Sequence, residues 1–515
     1  MSVRVRFAPS PTGSPHVGNI RTALFNHLFA KHHGGVHILR IEDTDSARFV
    51  EGCEEEIIES LLYIGVEWQE GVGKGGPHGP YHQSERKERG IYKPIFDRLL
   101  ESGHAYWAFE TSEELKEMRE YQQINKQPIG YYGGVWRDAS GAKVEEARSA
   151  GLPGVVRLKI PRDETIVLND AIRGRVEINS NLVDDPVLIK NDGMPTYHFA
   201  AMVDDHLMDI THVFRGEEWI SSAPKHVTLF KSLGWDPPEF IHVPIIKGKD
   251  GSKLSKRHGD TACLDFRRAG YLTEAISNFI ALIGWSPGGD REVMSMDEMA
   301  EAFTIEGIQP SPGVFDLDKL NWMNGHYIRA MDAGTLASMV RDYSSCDENQ
   351  EYWAGREPDH QAAKGKPTPA ENVDGMKLLV TVEDLDYVQG AITLEQERVA
   401  NLAEFGPACK FFFVESPDME QKAVDKWFKH DHVRALFDHL TTAFDGKKET
   451  SAEECESILR GFMESAGVEK FGPVVHPTRV ALTGKTVGPG LFELMSLLGP
   501  ARIVKRVERA KKLLP

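Results

Sequence analysis

A chain of 515 residues is too long for one ordinary hydrophobic core and implies about three or four domains at ~150 residues each. Apolar residues make up 41% and charged residues 27%, a globular composition that excludes wholesale disorder. Acidic residues outnumber basic ones, 78 to 60, and the formal charge of −18 argues against nonspecific polyanion binding, though not against a local basic face on an acidic body.

Cys53, Cys263, Cys346, Cys409 and Cys455 are far apart and odd in number. No pair has the spacing of a zinc knuckle or a redox motif, so free thiols in a reducing cytoplasm are expected. Pro9 and Pro11 arrive before any apolar stretch could act as a signal peptide, and no window approaches the roughly 18 apolar residues that span a bilayer. A cytoplasmic protein without a membrane partner is the expectation.

In chain order, VRVRFA alternates and stops at PSPTG, as a strand running into a loop does. From His16 onward, Ile20, Ala23, Leu24, Leu28 and Phe29 recur at helical spacing until Gly34 and Gly35 end the helix. VHILRIE follows as a second buried strand. This strand–loop–helix–strand unit predicts the first half of a Rossmann-like, doubly wound parallel α/β sheet. The glycine-rich GVGKGGPHGP, residues 71–80, reads as a surface loop.

Over about 110–185 a polar helical piece, a Gly/Tyr turn and short alternating strands predict an α+β insertion between two halves of the nucleotide fold. PVLIKNDGMPTYHFAAMVDDHL resumes the main pattern and leads to FRGEEW, then to a strand and a cationic loop in IHVPIIKGKDGSKLSKRHGD. Beyond about residue 330 amphipathic helices dominate. The polar stretch 344–375 reads as a linker or long loop. The terminal RIVKRVERAKKLLP places Ile503, Val504, Val507, Ala510 and Leu514 on one helical face and basic residues on the other. That basic face suits a nucleic-acid contact, but cations also favour a helix C-terminus, and the second reading is preferred.

Two segments could carry chemistry. In PSPTGSPHVGN, residues 9–19, proline and glycine force a tight strand-to-helix turn, and Gly18 leaves room for a flat ligand. The helix N-terminus offers N–H groups and positive dipole to a triphosphate, and His16 can donate to a phosphate oxygen. Taken alone, the same residues fit an ordinary turn with a helix-entry histidine. In the second segment Lys247, Lys249, Lys253, Lys256 and Arg257 oppose one acid, Asp250, on a Gly-flanked loop that lacks the Walker A pattern. Flexible ammonium groups can close over a pyrophosphate leaving group, although a charge run taken alone is more often a solvated basic loop.

Together the two segments resemble the paired ATP motifs of class I aminoacyl-tRNA synthetases. RFAPSPTGSPHVGN, RIEDTDSARF, PTYHFAAMVDDHL, FRGEEW and KLSKRHG, with FDLDKLNWMNGHYI and RVALTGKTVGPGLFELMSLLG, narrow the resemblance to the bacterial-type glutamyl-tRNA synthetases over nearly the whole chain. The resemblance implies a class I ligase with five parts: catalytic halves at 1–109 and 187–260, an acceptor-stem-binding insertion at 110–186, a stem-contact helical domain at 261–330 and an α-helical anticodon-binding region at 331–515.

It also implies a division of labour. Arg6 would read the side-chain carboxylate of the amino acid with its guanidinium fork, beside Tyr197. Ala8 and Ser10 would line the loop, Glu42 would hold the ammonium, Arg215 would take another carboxylate and Trp219 would form a wall. A carboxylate paired with fixed arginine gains more than a carboxamide does, which is how glutamine would be rejected. Thr12, His16, Gly18, Glu218, Ile245 or Ile246, Lys253 and Lys256 would surround ATP, with Mg²⁺ on its phosphates; His16, Lys253 and Lys256 would act on the reacting phosphates. The implied partners are L-glutamate, ATP and tRNA(Glu), with Arg398 in the region that meets the anticodon, and a monomer is expected.

Three departures stand out. Asn19 occupies the place of a second histidine, and its carboxamide can still donate. Ala105-Tyr106-Trp107-Ala108-Phe109-Glu110 lacks the two cysteines of the A-Y-x-C-x-C motif with which some relatives hold zinc, so no structural zinc is expected. Ala201 stands where some relatives have a pocket asparagine. Asp204, Asp205, His206, Asp209 and His212 resemble a family segment in which hydrogen bonding and packing, rather than metal binding, are expected. The helical half beyond 330 separates the chain from short relatives without an anticodon domain and from glutaminyl-tRNA synthetases, whose anticodon part is built from β-barrels.

Overall fold

The computed structural model describes residues 2–255, 260–356 and 367–515. They form two compact units: Met1–Asp265 with Ile276–Asp316, and Phe266–Ala275 with Leu317–Pro515.

The first unit is built on parallel strands. β1 (Arg4–Phe7) runs into α1 (Val17–His32), and the chain returns as β2 (Val36–Leu39), in register Arg4 to Val36 through Phe7 to Leu39. Eleven of the sixteen residues of α1 are buried, the pattern of a helix enclosed by its own sheet and neighbours rather than lying on a surface. The helix must end tightly: Gly34 takes φ 58°, and a Cβ on Gly35 would lie 2.4 Å from the Val3 carbonyl oxygen. β3 (Glu70–Gly71) extends the sheet beyond β2.

β4 (Ala105–Ala108) and β5 (Val155–Leu158) open a separate antiparallel sheet that β8 (Val187–Ile189) completes. Between them the hairpin of β6 (Thr165–Asp170) and β7 (Gly174–Asn179) goes elsewhere. β6 pairs in parallel with β10 (Glu239–Val243), which pairs in parallel with β9 (His212–Gly216). So part of the stretch 110–186 joins the main nucleotide-fold strands, a placement that alternation alone cannot reveal, because Ile166 and Leu168 would suit either sheet. β11 (Ile246–Lys247) pairs with β12 (Gly313–Val314).

The Thr211 amide, just ahead of β9, donates to the Arg4 carbonyl at 2.9 Å, and the Arg4 amide donates to Thr211 Oγ1 at 2.9 Å. β1 therefore lies between β2 on one side and β9 on the other. The chain first winds outward through β2 and β3 and later returns to the opposite side of β1. That reversal is a topological switch point, and the crevice beyond the carboxyl ends of β1, β9 and β10 is where such a sheet binds ligands.

The second unit is helical. Its core joins Leu336, Val340, Met376, Phe405, Phe412, Phe437, Leu494 and Val507. Helices Pro369–Thr381 and Phe405–Phe413 cross where Gly375 meets Gly406, and a Cβ on Gly375 would lie 2.2 Å from a Gly406 backbone atom. Two corrections to the sequence reading arise here. The stretch 344–375 is not an irregular linker throughout, since Asp347–Ala354 is helical and Thr368 with Glu371 forms a capping box that starts the helix at Pro369. In the terminal helix Pro500–Lys511, Ile503, Val507 and Ala510 are buried as the pattern requires, but the basic Arg506 is buried with them. Its guanidinium donates to the carbonyls of Leu482, Phe411 and Val414 at 2.6 to 2.7 Å, satisfying acceptors at the C-terminal ends of two other helices.

Candidate active site

A cleft of about 850 Å³ opens at the switch point. Its walls are the turn that follows β1, the first turn of α1, the ends of β9 and β10, and the loop from Ile245 to Ser255. Arg6, Ala8, Ser10, Thr12, His16, Gly18, Glu42, Tyr197, Arg215, Glu218, Trp219, Ile245, Ile246 and Lys253 all line it. Lys256 lies outside the described residues. Arg398 belongs to the helical unit, where it donates to the Glu395 carboxylate at 3.2 Å.

His16 is the N-cap of α1, and its Nδ1 accepts from the Gly18 amide at 3.1 Å. That bond fixes the neutral tautomer, leaving Nε2–H as the donor. Burial lowers the His16 pKa, and the Lys253 ammonium lowers it further, so the two segments share one electrostatic neighbourhood. Lys253 itself faces Lys247 in an antiparallel bridge, and the Leu254 amide donates to Ile246, so the cationic loop folds back along β11. A Cβ on Gly18 would meet only the His16 ring, at 3.5 Å, which leaves open space above the backbone.

The floor of the cleft is a buried ion network. Arg6 Nε donates to Asp205 at 3.0 Å and its Nη1 to the Phe214 carbonyl at 3.4 Å. Arg40 bridges Asp205 at 2.9 Å and Glu42 at 3.0 Å, while Arg86, Gln83 and Tyr92 hold Asp204. Burial raises the Glu42 pKa, against the lowering effect of Arg40 and Arg6. The acidic pair of the VDDHL segment thus anchors arginines. His206, next in the chain, stacks on Trp235 with ring centroids 3.7 Å apart. Among the described residues no group of three or more His, Cys, Asp or Glu side chains is placed to hold a metal.

On the opposite wall Tyr197 packs against Trp219, ring centroids 4.2 Å apart, and Arg215 lies over the Phe240 ring at 4.7 Å. Arg215 is 5% exposed; its Nε donates to His242 at 3.0 Å and its Nη1 to His226 at 2.9 Å, whereas its Nη2 is buried without a hydrogen bond of good geometry and the Tyr197 hydroxyl lies beside the guanidinium. The cleft therefore presents two guanidinium groups, one carboxylate and a polar loop, which suits a ligand with two carboxylates and an ammonium.

Several residues that shape the cleft escaped the sequence reading. Arg21 on α1 donates to the carbonyls of Pro244 and Ile283 and so fixes the turn after β10, and the Ile245 amide donates to Glu217 at 3.0 Å. His226, His242 and Asp170 support Arg215. The one available signal was an imidazole inside the apolar run EFIHVPII, which is a weak one. Ala201 is fully buried in the core beside Phe199 and Met202 and does not line the cleft. In the insertion, Ala108 packs with Tyr106 and Tyr131, and buried Asp185 gathers Tyr106, Arg137, Arg162 and the Ile160 amide.

The family described as tRNA synthetases class I (E and Q), catalytic domain, matches residues 2–322, and an anticodon binding domain matches residues 360–511. The glutamate–tRNA ligase of Moorella thermoacetica is 39% identical over 99% of this chain and 98% of its own length. Glutamate–tRNA ligase 2 of Caldicellulosiruptor saccharolyticus is 41% identical over 98% of each. The crystal structure of a glutamate tRNA ligase from Elizabethkingia meningosepticum, in complex with its amino acid, superposes with a TM-score of 0.87 at 36% identity, covering 100% of both chains. With this coverage at both levels, the chain belongs to the class I glutamate–tRNA ligase family.

Proposed function

We propose that the chain activates L-glutamate with ATP and transfers it to tRNA(Glu). The observation that carries this is the cleft itself, where the His16 turn and the Lys253 loop share one wall system with Arg6, Arg215 and Glu42. Arg6 and Arg215 receive the two carboxylates of glutamate, and Glu42 receives its ammonium. His16 donates Nε2–H to ATP, flanked by Thr12, Gly18, Glu218, Ile245 and Ile246. Mg²⁺ enters as part of the ATP substrate.

The α-carboxylate oxygen attacks the α-phosphorus, the bond to the β-phosphate bridge breaks, and pyrophosphate leaves. Lys253 and Lys256 take up the charge that develops on it. A hydroxyl of the terminal ribose then attacks the acyl carbon, and AMP departs. No protein nucleophile is required, because alignment and fixed charge supply the acceleration. His16, held neutral, donates without adding charge, so neutralisation falls to the lysines.

Residues 110–186 serve the acceptor stem, 261–330 contact the stem, and the helices of 331–515 serve the anticodon, with Arg398 among the contacts. Binding through phosphates would be salt-sensitive, with specificity from unpaired bases. The enzyme is taken as a cytoplasmic monomer; no helix among the described residues is long and apolar enough to cross a membrane.

Glutamate-dependent ATP–pyrophosphate exchange, with and without tRNA, tests the proposal. Exchange in at least one condition is expected, and none even with tRNA present would overturn it. Charging purified tRNA(Glu) and tRNA(Gln) separately then defines the tRNA range.

A further inference from the structure

The guanidinium of Arg215 is held in an unusual way. Arginine only donates hydrogen bonds, so each histidine nitrogen that faces it must carry a bare lone pair. His242 meets Arg215 Nε through Nε2 at 3.0 Å while its Nδ1 lies 2.6 Å from Asp170 Oδ2, which makes Nδ1–H the donor to the carboxylate. His226 meets Nη1 through Nδ1 at 2.9 Å, and its Nε2–H points to His198 Nδ1 at 3.0 Å. All the tautomers follow from one fixed donor. Burial keeps the three imidazoles neutral: it lowers His242, lowers His226 well below the ordinary range, and takes His198 to about 4.

The contrast with Arg6 shows what this achieves. Arg6 Nε is paired directly with the Asp205 carboxylate, which offsets part of its charge. Arg215 is oriented by neutral acceptors, with the Asp170 carboxylate one imidazole away, so its charge stays available. Two of its three nitrogens are committed to histidines; the third, Nη2, is buried without a hydrogen bond of good geometry, the Tyr197 hydroxyl lies beside the guanidinium, and Arg215 lines the cleft.

We propose that His226 and His242, with Asp170 behind His242, are positioning residues that hold the Arg215 guanidinium, beside the Tyr197 hydroxyl, at the cleft to meet a carboxylate of the substrate without neutralising the guanidinium. The inference rests on the proposed role of Arg215 in binding glutamate. It extends the site from the residues that touch substrate to the tautomer-locked chain Asp170–His242–Arg215–His226–His198.

The test is the KM for glutamate and for ATP in pyrophosphate exchange, run with tRNA present, on full-length variants whose melting temperatures are recorded. His226→Phe and His242→Phe remove the acceptor while keeping a ring; glutamate KM should rise about tenfold or more and ATP KM stay within about threefold. His226→Asn and His242→Gln return a carbonyl oxygen near the lost lone pair and should recover glutamate KM to within about threefold of wild type. Asp170→Asn is nearly isosteric. With its carbonyl kept on the Ile172 and Arg173 amides it turns its NH2 toward His242, where it opposes the ring Nδ1–H and favours the other tautomer at the cost of the acceptor for the His242 backbone amide. It carries the test if the Phe variants do not fold, and should raise glutamate KM as they do. Arg215→Ala runs in parallel. If it leaves glutamate KM unchanged, the assigned role of Arg215 fails. If it raises KM while folded Phe variants or Asp170→Asn match wild type, or if the amide variants are as impaired as the Phe ones, the positioning role of the histidines is overturned.

Discussion

Burial and the ammonium of Lys253 together hold the His16 imidazole below the ordinary histidine range, although the two residues stand in segments far apart in the chain. The link is made by the switch-point topology, which brings the end of β1 and the loop after β10 to one crevice. Removing the charge while keeping the stem, as in Lys253→Met, should raise the His16 pKa toward its ordinary value of ~6.5. An NMR titration of the His16 ring checks this; an unchanged pKa would separate the two residues.

Arg6 has a rigid fork, and its guanidinium donates to fixed partners, Asp205 and the Phe214 carbonyl. Arg6→Lys keeps a charge near Asp205 but loses the planar pair of donors. Glutamate KM in pyrophosphate exchange should rise about tenfold to a hundredfold with ATP KM little changed, because one charge-assisted bond is worth roughly 1.5–3 kcal/mol. A glutamate KM equal to wild type would remove Arg6 from the amino-acid site.

The catalytic unit contains several histidines that burial holds neutral, including His37, taken down to about 3, and His198, to about 4, with His226 and His242 lowered as well. In the unfolded chain these rings protonate near pH ~6.5. Between the folded and unfolded values the unfolded state binds more protons, so their contribution is complete above ~6.5 and is lost as pH falls below it. Each adds a slope of up to about 1.4 kcal/mol per pH unit in that window. The catalytic unit should therefore melt at clearly lower temperature at pH 5 than at pH 7, by calorimetry. Equal melting temperatures would contradict the buried neutral state.

In the helical unit Arg506 is 1% exposed and serves three carbonyl groups. Arg506→Met keeps most of the apolar stem but leaves those acceptors unpaired, at roughly 1–3 kcal/mol for each group that water cannot reach. Thermal unfolding of the helical unit should shift down by several degrees. A melting temperature equal to wild type would mean that the carbonyls find other donors.

The contiguous motifs were the legible part of the site. PSPTGSPHVGN is one turn and one helix start, so the chemistry of His16 and Gly18 is local, and the lysine loop is local in the same way. Asp170, His226 and His242 come from two strands and a helix and carry no local mark of their meeting, since an imidazole in an apolar strand reads as core. β6 and β7 were legible only as short alternating strands of the insertion, not as a hairpin beside β10, because pairing between distant strands is a tertiary choice. The helix Asp347–Ala354 hid in a polar stretch because little of it is buried, although Thr368-Pro369 followed by Glu371 marks the next helix start. Arg506 defeated the amphipathic pattern because carbonyls at two helix ends, not solvent, receive its charge.

The most direct test of a shared triphosphate site is glutamate-dependent pyrophosphate exchange by wild type, His16→Ala, Lys253→Ala and the double variant. The expected result is a loss of about a hundredfold or more in each single variant, with the double variant falling well short of the product of the two losses, since both act on one phosphate chain. Exchange at the wild-type rate in either single variant would contradict it.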